Sequence, residues 1–290
     1  ETDLTVVNIG ENNFRIITAA ANKERDKFHI QKHLSEDIKL LDVTDDYCVL
    51  GVFGPKSINL MKDLTVIVPF LNEEKFLKES VNRLLNIDLD LKIFLYNDCS
   101  TDKSKEIAIE LTERYKNIDY FENKYQRGKG DTIARASKFV KTKFVAIHDA
   151  DLEYFPEDLV EMYEKIIQNQ ESLILGSRFT GSKKRENIYT RTLIANRAMS
   201  YFFSLIHFYK ISDIATCYKM MPTQFLKNIN VSEKGFAVEV EILSKYLKYK
   251  KSVIEVPIKY SGRSYEDGKK IKTSDGIEYI IKTLKYRFFD

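Results

Sequence analysis

From residue 64 onward, short runs of β-branched and aromatic residues alternate with longer amphipathic stretches, separated by polar loops. Apolar runs bounded by turn residues read as strands, and a period near 3.6 reads as helix. The sequence therefore predicts strands over 64–70, 91–97, 118–122, 144–148 and 173–176, and helices over 73–85, 102–115, 130–141 and 156–169. Crossovers of this length join parallel strands and lay helices on both faces of a sheet, so an α/β domain is expected. Such sheets bind ligands in the crevice beyond the carboxyl ends of their strands. Past residue 176 the pattern becomes a Lys- and Arg-rich loop over 182–185, an aromatic helix over 190–209, a strand over 253–260, a basic glycine-containing loop and a closing helix.

Residues 1–62 follow another grammar, with a strand over 14–18, a charged helix over 22–34 and an apolar run over 47–53 that ends at Gly54-Pro55. That pair and Lys62-Asp63 are the natural breaks. The expected organisation is a small α+β unit over 1–62 and a larger α/β domain over 63–290.

Composition narrows the function classes. At 290 residues and 43% hydrophobic, the chain can bury a sizeable core. Lys and Arg outnumber Asp and Glu by only three, so no global basic charge points to nucleic acid, and any basic site must be local. Three scattered cysteines, Cys48, Cys99 and Cys217, form no disulfide framework and suit a reducing compartment, so a cytoplasmic location is expected. The apolar stretch 201–209 is far shorter than the roughly 20 residues needed to span a bilayer.

The candidate chemistry falls at strand ends. His148-Asp149-Ala150-Asp151-Leu152-Glu153 closes an apolar strand, and a spacing of two in an extended segment points Asp149 and Asp151 the same way. Hard carboxylate oxygens suit Mg²⁺ or Mn²⁺, which neutralise a diphosphate. A second acidic end, Asn97-Asp98-Cys99-Ser100-Thr101-Asp102, directs Asp98 into the crevice while Ser100 or Thr101 caps the next helix. At a third, Pro69 ends strand pairing, and Glu73 and Glu74 load the first turn of a helix. Arg127-Gly128-Lys129-Gly130 opens a helix and sets a cation beside exposed N–H groups, an arrangement suited to phosphate. Neither a dinucleotide fingerprint nor a P-loop is present, which disfavours a dehydrogenase.

The ordered set VIVPFLNEE, YNDCSTD, NKYQRGKG, HDADLEY and GSRF resembles family 2 glycosyltransferases of the GT-A fold. The branch of dolichyl- or polyprenyl-phosphate sugar synthases fits best, supported downstream by Ile211 to Thr216, Gly235-Phe236, and Glu255 to Tyr260 running into Ser261-Gly262-Arg263. The resemblance implies that Pro69, Leu71, Glu73 and Asp98 line a nucleoside pocket, with Lys129 near base or phosphates and Ala150 beside the donor. It implies that Asp149 and Asp151 handle metal and diphosphate. Glu153 stands where relatives commonly carry Gln, and could add a third metal ligand. Arg178 is placed for a phosphate, and Arg263 with Lys269 and Lys270 resembles the segment that grips the donor diphosphate or acceptor phosphate. The implied partners are a nucleotide-sugar donor and a lipid-phosphate or glycan acceptor, with inversion by direct displacement. A hydroxyl acceptor needs a base, for which Asp213 or Glu239 is the candidate.

The aromatic helix over 190–210, edged by Arg191, Arg197 and Lys210, could lie on the inner face of the cytoplasmic membrane as a peripheral contact, or serve as core or homo-oligomer contact. The N-terminal piece resembles a fragment of an aminomethyltransferase, glycine-cleavage T-protein-like, domain. About 60 residues are too few to enclose folate, so a structural or assembly role is expected there. The alternatives to a lipid-phosphate acceptor are transfer to a glycolipid or polysaccharide hydroxyl, and a non-catalytic sugar-nucleotide sensor.

Overall fold

A computed structural model describes residues 4–10, 13–35, 37–46, 63–187, 189–249, 252–263 and 273–289. The chain divides into two compact units, Glu1–Phe53 and Gly54–Asp290. The apolar run 47–53, the Gly54-Pro55 break and Lys269 and Lys270 lie outside the described residues.

In the first unit, strands β1 (Thr5–Gly10) and β2 (Asn13–Ile17) pair antiparallel, followed by helix α1 (Lys23–His33). Lys23 and Lys27 both reach Asp42, and the Thr18 hydroxyl donates to Asp26, which ties the segment after α1 and the end of β2 to that helix. Strand β1 was not expected from the sequence, because Asn8 interrupts its apolar pattern.

The second unit is built on seven strands. These are β3 (Leu64–Phe70), β4 (Leu91–Asn97), β5 (Ile118–Glu122), β6 (Phe144–Ile147), β7 (Leu173–Ser177), β9 (Lys219–Pro222) and β10 (Val253–Pro257). A short pair, β8 (Arg185–Glu186) and β11 (Tyr260–Ser261), lies outside that sheet. The order is β10-β7-β9-β6-β3-β4-β5, and all strands are parallel except β9, which runs antiparallel to both β6 and β7. The expected mostly parallel α/β sheet is present. Strand β9 is the departure: four residues starting with a lysine carry no strand periodicity.

Side-chain alternation assigns the faces. Leu64, Val66, Val68 and Phe70 of β3 join one core cluster with α2 (Leu77–Leu85), α3 (Ser104–Arg114) and α5 (Asp158–Gln168). Ile67 joins the opposite cluster with α4 (Lys129–Ser137), α6 (Thr190–His207), α7 (Thr223–Asn228), α8 (Val238–Tyr249) and α9 (Thr273–Phe288). All of β3 is buried, as a strand covered on both faces must be. Pro69 does not end the strand. Pairing with β4 continues through Phe70, and only the β6 side stops at Ile67, where the missing Pro69 N–H costs no bond.

Helices α2, at Leu77, and α3, at Ser104, start later than their sequence pattern suggests because the residues before them bond between loops. Asn72 N–H donates to Ser100 Oγ, Thr101 N–H to Asn72 Oδ1, Glu73 N–H to Ser104 Oγ and Glu74 N–H to Asp102 Oδ2. Ser100 therefore does not cap α3; Asp102 bonds the Ser104 N–H instead.

His207, at the end of α6, is buried against Phe203, with ring centroids 4.2 Å apart, and shares a hydrogen bond with Ser244. Burial, together with the Arg287 and Lys248 charges, lowers its pKa from 6.5 to about 4. The unfolded chain therefore takes up a proton that the folded chain refuses, and stability should fall as pH drops from 6.5 towards 4. In thermal melts, His207→Gln should lose a few degrees less than wild type between pH 7 and pH 5.

Candidate active site

The carboxyl ends of β3, β4 and β6 open into a cavity of about 330 Å³. Pro69, Leu71, Glu73, Asp98, Lys129, Asp149, Ala150, Asp151, Glu153, Arg178 and Arg263 all line it. Each of the three strand ends turns through a left-handed residue: Asn72 (φ 53), Cys99 (φ 69) and Leu152 (φ 64). Asparagine adopts this conformation readily, whereas for Cys99 and Leu152 it costs about 1–2 kcal/mol each. Three reversals side by side bring polar loop residues from neighbouring strands to one mouth.

The turn at Leu152 changes how the acidic motif works. Residues 149–153 leave the sheet as a turn rather than continuing extended, so Asp149 and Asp151 face different partners. Lys129 Nζ lies 2.7 Å from Asp149 Oδ1 and 2.9 Å from Glu239 Oε1. Burial alone would strip Lys129 of its proton, but Asp149 and Glu239 hold its pKa well above the ordinary lysine value. Burial would likewise raise Asp149, yet Lys129 outweighs it and keeps the carboxyl below its usual pKa. Glu239 is also paired with the fully buried Lys219, whose Nζ lies 2.5 Å from Oε2.

Arg263 organises the other side. Its Nη2 donates to Asp151 at 2.9 Å and its Nη1 to Glu73 at 3.3 Å, while its backbone N–H donates to Glu153 Oε1 at 2.8 Å. Glu153 Oε2 accepts from the Tyr260 hydroxyl at 2.6 Å. Asp151 is pushed up to about 7, first by burial and then by the charges of Glu153 and Asp149.

Asp98 anchors the phosphate-loop candidate. Its Oδ1 accepts from Asn123 Nδ2 at 2.8 Å and the Arg127 N–H at 2.9 Å, and its Oδ2 accepts from the Gly128 N–H at 2.7 Å. Gly128 has φ +92, and a Cβ on Gly130 would lie 1.9 Å from the Glu233 carbonyl oxygen. The two glycines let α4 start against the 233–235 backbone, with Gly130 N–H donating to Lys234 O at 2.7 Å. That contact seats Lys129 between two acids.

Asp213 is not placed to act as a base. It is fully buried and does not line the cavity, and both its oxygens are taken by Arg178, Nε to Oδ2 and Nη2 to Oδ1, each at 2.8 Å. The same pairing commits two Arg178 nitrogens that the sequence reading assigned to phosphate. Glu239, the other candidate base, is wedged between two lysines. Lys270 lies outside the described residues. Sequence reasoning missed Lys219, Tyr260 and His148 as parts of the site. His148 is buried and neutral, bonded to Ser80 Oγ at 2.9 Å and Tyr218 OH at 2.8 Å, and it fixes the strand end just before Asp149.

Among the described residues, no group of three His, Cys, Asp or Glu side chains is gathered as a ready-made metal cage. Asp149, Asp151 and Glu153 do not converge as the sequence suggested, because separate partners neutralise them. The donor chemistry nevertheless fits a hard divalent cation. Five networked carboxylates, Glu73, Asp149, Asp151, Glu153 and Glu239, face three cations, Lys129, Lys219 and Arg263.

Residues 65–229 match the family described as Glycosyl transferase family 2. The chain belongs to that family. Residues 1–84 separately match the GCVT N-terminal domain, overlapping the first strand and helix of the family 2 unit. A dolichol-phosphate mannosyltransferase of Pyrococcus furiosus is 27% identical over 221 residues, which are 75% of this chain and 61% of that protein. A UDP-N-acetylglucosamine–dolichyl-phosphate N-acetylglucosaminyltransferase of Methanococcus voltae is 28% identical, covering 77% of this chain and 96% of its own. An aminomethyltransferase of Exiguobacterium sibiricum is 28% identical over 87 residues, only 24% of its length. Glucosyl-3-phosphoglycerate synthase from Mycobacterium tuberculosis, solved with Mn²⁺, UDP-glucose and phosphoglyceric acid, superposes with a TM-score of 0.61 at 14% identity, covering 83% of this chain and 85% of that one. The family 2 chain therefore has the GT-A fold expected from its motifs, and both resemblances read from the sequence are borne out.

The Arg178–Asp213 pair carries a test of the corrected base assignment. Asp213→Ala leaves a buried guanidinium without its counter-ion and should cost about 3–5 kcal/mol of stability in denaturant unfolding. A general base would instead lose turnover with unfolding unchanged.

Proposed function

We propose that this chain transfers a hexose, with inversion, from a UDP- or GDP-linked sugar to a lipid phosphate such as polyprenyl phosphate. The observation that carries the acceptor is the commitment of the carboxylates lining the cavity. Glu73, Asp149, Asp151, Glu153 and Glu239 are paired with cations or a phenol, and Asp98 with three N–H donors. An acceptor that arrives ionised needs no base, whereas a hydroxyl would. The dolichyl-phosphate relatives support the same acceptor class.

In this reading Pro69, Leu71 and Asp98 flank the nucleoside, and the start of α4 presents the Lys129 ammonium to the diphosphate. Asp149 and Asp151, with Glu153 behind them, would hold Mg²⁺ or Mn²⁺, which supplies Lewis-acid stabilisation of the departing nucleoside diphosphate. Lys129 and Arg263 add fixed positive charge where that diphosphate separates. The acceptor phosphate oxygen attacks the anomeric carbon from the opposite side, breaking the bond to the donor diphosphate. Solved neighbours of the fold carry Mn²⁺ and UDP-glucose, which supports the metal and the donor class.

Helix α6 supports delivery of the acceptor from a membrane surface at the cytoplasmic side. Ile194, Tyr201 and Leu205 recur along one face and are exposed, and Phe208 just beyond is 82% exposed. Arg191 and Arg197 are the charged residues of a helix that contains no acid. Among the described residues no helix is long and apolar enough to cross a membrane, so the contact would be peripheral. We read residues 63–290 as the transferase unit, and 1–62 as a structural or assembly unit without folate chemistry.

Purified protein with Mn²⁺ or Mg²⁺ and a panel of UDP- and GDP-sugars should release nucleotide only when polyprenyl phosphate is added in detergent. Asp149→Asn and Asp151→Asn should lower that rate on the order of 10²–10³-fold. Donor binding without lipid-stimulated release would redirect the reading to a hydroxyl acceptor, and absence of donor binding would end it. Separately, Leu205→Ser combined with Phe208→Ser should weaken co-sedimentation with anionic vesicles roughly tenfold, with the melting temperature unchanged.

A further inference from the structure

The cations at the mouth are seated where a divalent ion is expected to go. Arg263 reaches three acids at once: Nη2 lies 2.9 Å from Asp151, Nη1 3.3 Å from Glu73 and Nε 3.9 Å from Glu153. Its guanidinium carbon also lies 5.3 Å from the centroid of the Phe76 ring. Yet the seat is incomplete. Among the described residues, Arg263 Nε is buried with no hydrogen-bond acceptor, so the guanidinium keeps a donor that its acids do not use. Lys129 bridges Asp149 and Glu239 on the other side, and Glu239 is separately neutralised by Lys219. Loss of Lys129 would therefore leave Glu239 paired, whereas loss of Arg263 would remove the ion pair that Asp151 makes.

We infer that Arg263 is a stand-in counter-ion: it occupies the acidic cluster in the absence of metal and is handed over to the donor diphosphate when a divalent cation takes Asp151. The inference rests on the proposed function and concerns the order of events within that site. A divalent ion and the guanidinium compete for the same carboxylate, so the metal alone binds against Arg263. A nucleoside diphosphate brings oxygens that accept the displaced guanidinium, including the idle Nε. Metal and nucleoside diphosphate therefore bind with positive coupling, part of which runs through this one side chain. Lys219 remains with Glu239 throughout and holds the far end of the network.

The two roles of Arg263 predict effects of opposite sign. Mn²⁺ binding is measured by electron paramagnetic resonance and by titration calorimetry, with and without UDP and GDP, for wild type, Arg263→Met and Lys105→Met. In Arg263→Met, Mn²⁺ alone should bind roughly tenfold tighter, while the nucleoside diphosphate should bind roughly tenfold more weakly in the presence of Mn²⁺. The factor by which each ligand tightens the other should shrink accordingly. Lys105→Met on α3, which removes a charge of the same sign from an exposed pair with Glu122, outside the network, should leave the coupling factor at its wild-type value. A residue that only grips diphosphate would weaken nucleotide binding and leave Mn²⁺ alone unchanged, which overturns the handover. Equal coupling factors in wild type and Arg263→Met overturn it as well. If wild type binds no Mn²⁺ even with nucleoside diphosphate present, the underlying metal-dependent reading fails instead.

Discussion

Buried like charge is the constraint on which this site depends. Several carboxylates drawn out of water at the ends of one sheet repel one another, and without compensation they would protonate or pull the strand ends apart. Lys129, Lys219 and Arg263 supply that compensation from three distant points in the sequence. The helix start at Gly128, the antiparallel β9 and the segment after β11 are each needed to deliver one cation. The architecture around the crevice can be understood as the scaffold that brings those three side chains to the acids.

Local backbone chemistry carries the same theme. The loops after β3 and β4 are stitched to one another by Asn72, Ser100, Asp102 and Ser104, so neither strand end can move without the other. Leu152 accepts a left-handed conformation that its side chain disfavours, and Glu153 is thereby turned towards Tyr260 and Arg263. Such strain persists only where the surroundings over-determine it, and here both neighbours of Leu152 are held by charge.

Much of this was legible in the chain itself. The continuous apolar runs of β3, β4, β6 and β7 and the polar strand ends gave the sheet and the side of it on which chemistry sits, because a strand buried on both faces leaves an unmistakable mark. The helix opening at Arg127-Gly128-Lys129-Gly130 was read correctly, whereas the close approach of its glycines to the 233–235 backbone was not. Partners across long sequence separations were not legible. A lysine at the head of β9 looks like a surface residue until α8 places Glu239 against it, and Asp213 looks like an available acid until Arg178 is seen to fill both its oxygens. The helix starts at 77 and 104 slipped for the same reason: Glu73 and Glu74 had a good local role as helix-opening acids and Ser100 or Thr101 as a cap, and tertiary bonds between loops took precedence.

The direction of β9 has a consequence for how relatives diverge. Because it runs against its neighbours, it offers its first residue, rather than its last, to the crevice, and the preceding stretch through Ala215 and Cys217 lies against the cavity at the carboxyl ends of the parallel strands. One flank, β6-β3-β4-β5, is an uninterrupted parallel series whose ends carry Asp149, Pro69 and Asp98 to the cavity. The other flank, β7 and β10, is joined to it only across this reversed strand. Selection can therefore remodel the β7–β10 flank, by exchanging its loops and terminal helices, without unpicking the hydrogen-bond ladder of β6-β3-β4-β5, and β9 marks the seam along which chimeras between homologous enzymes would be cut.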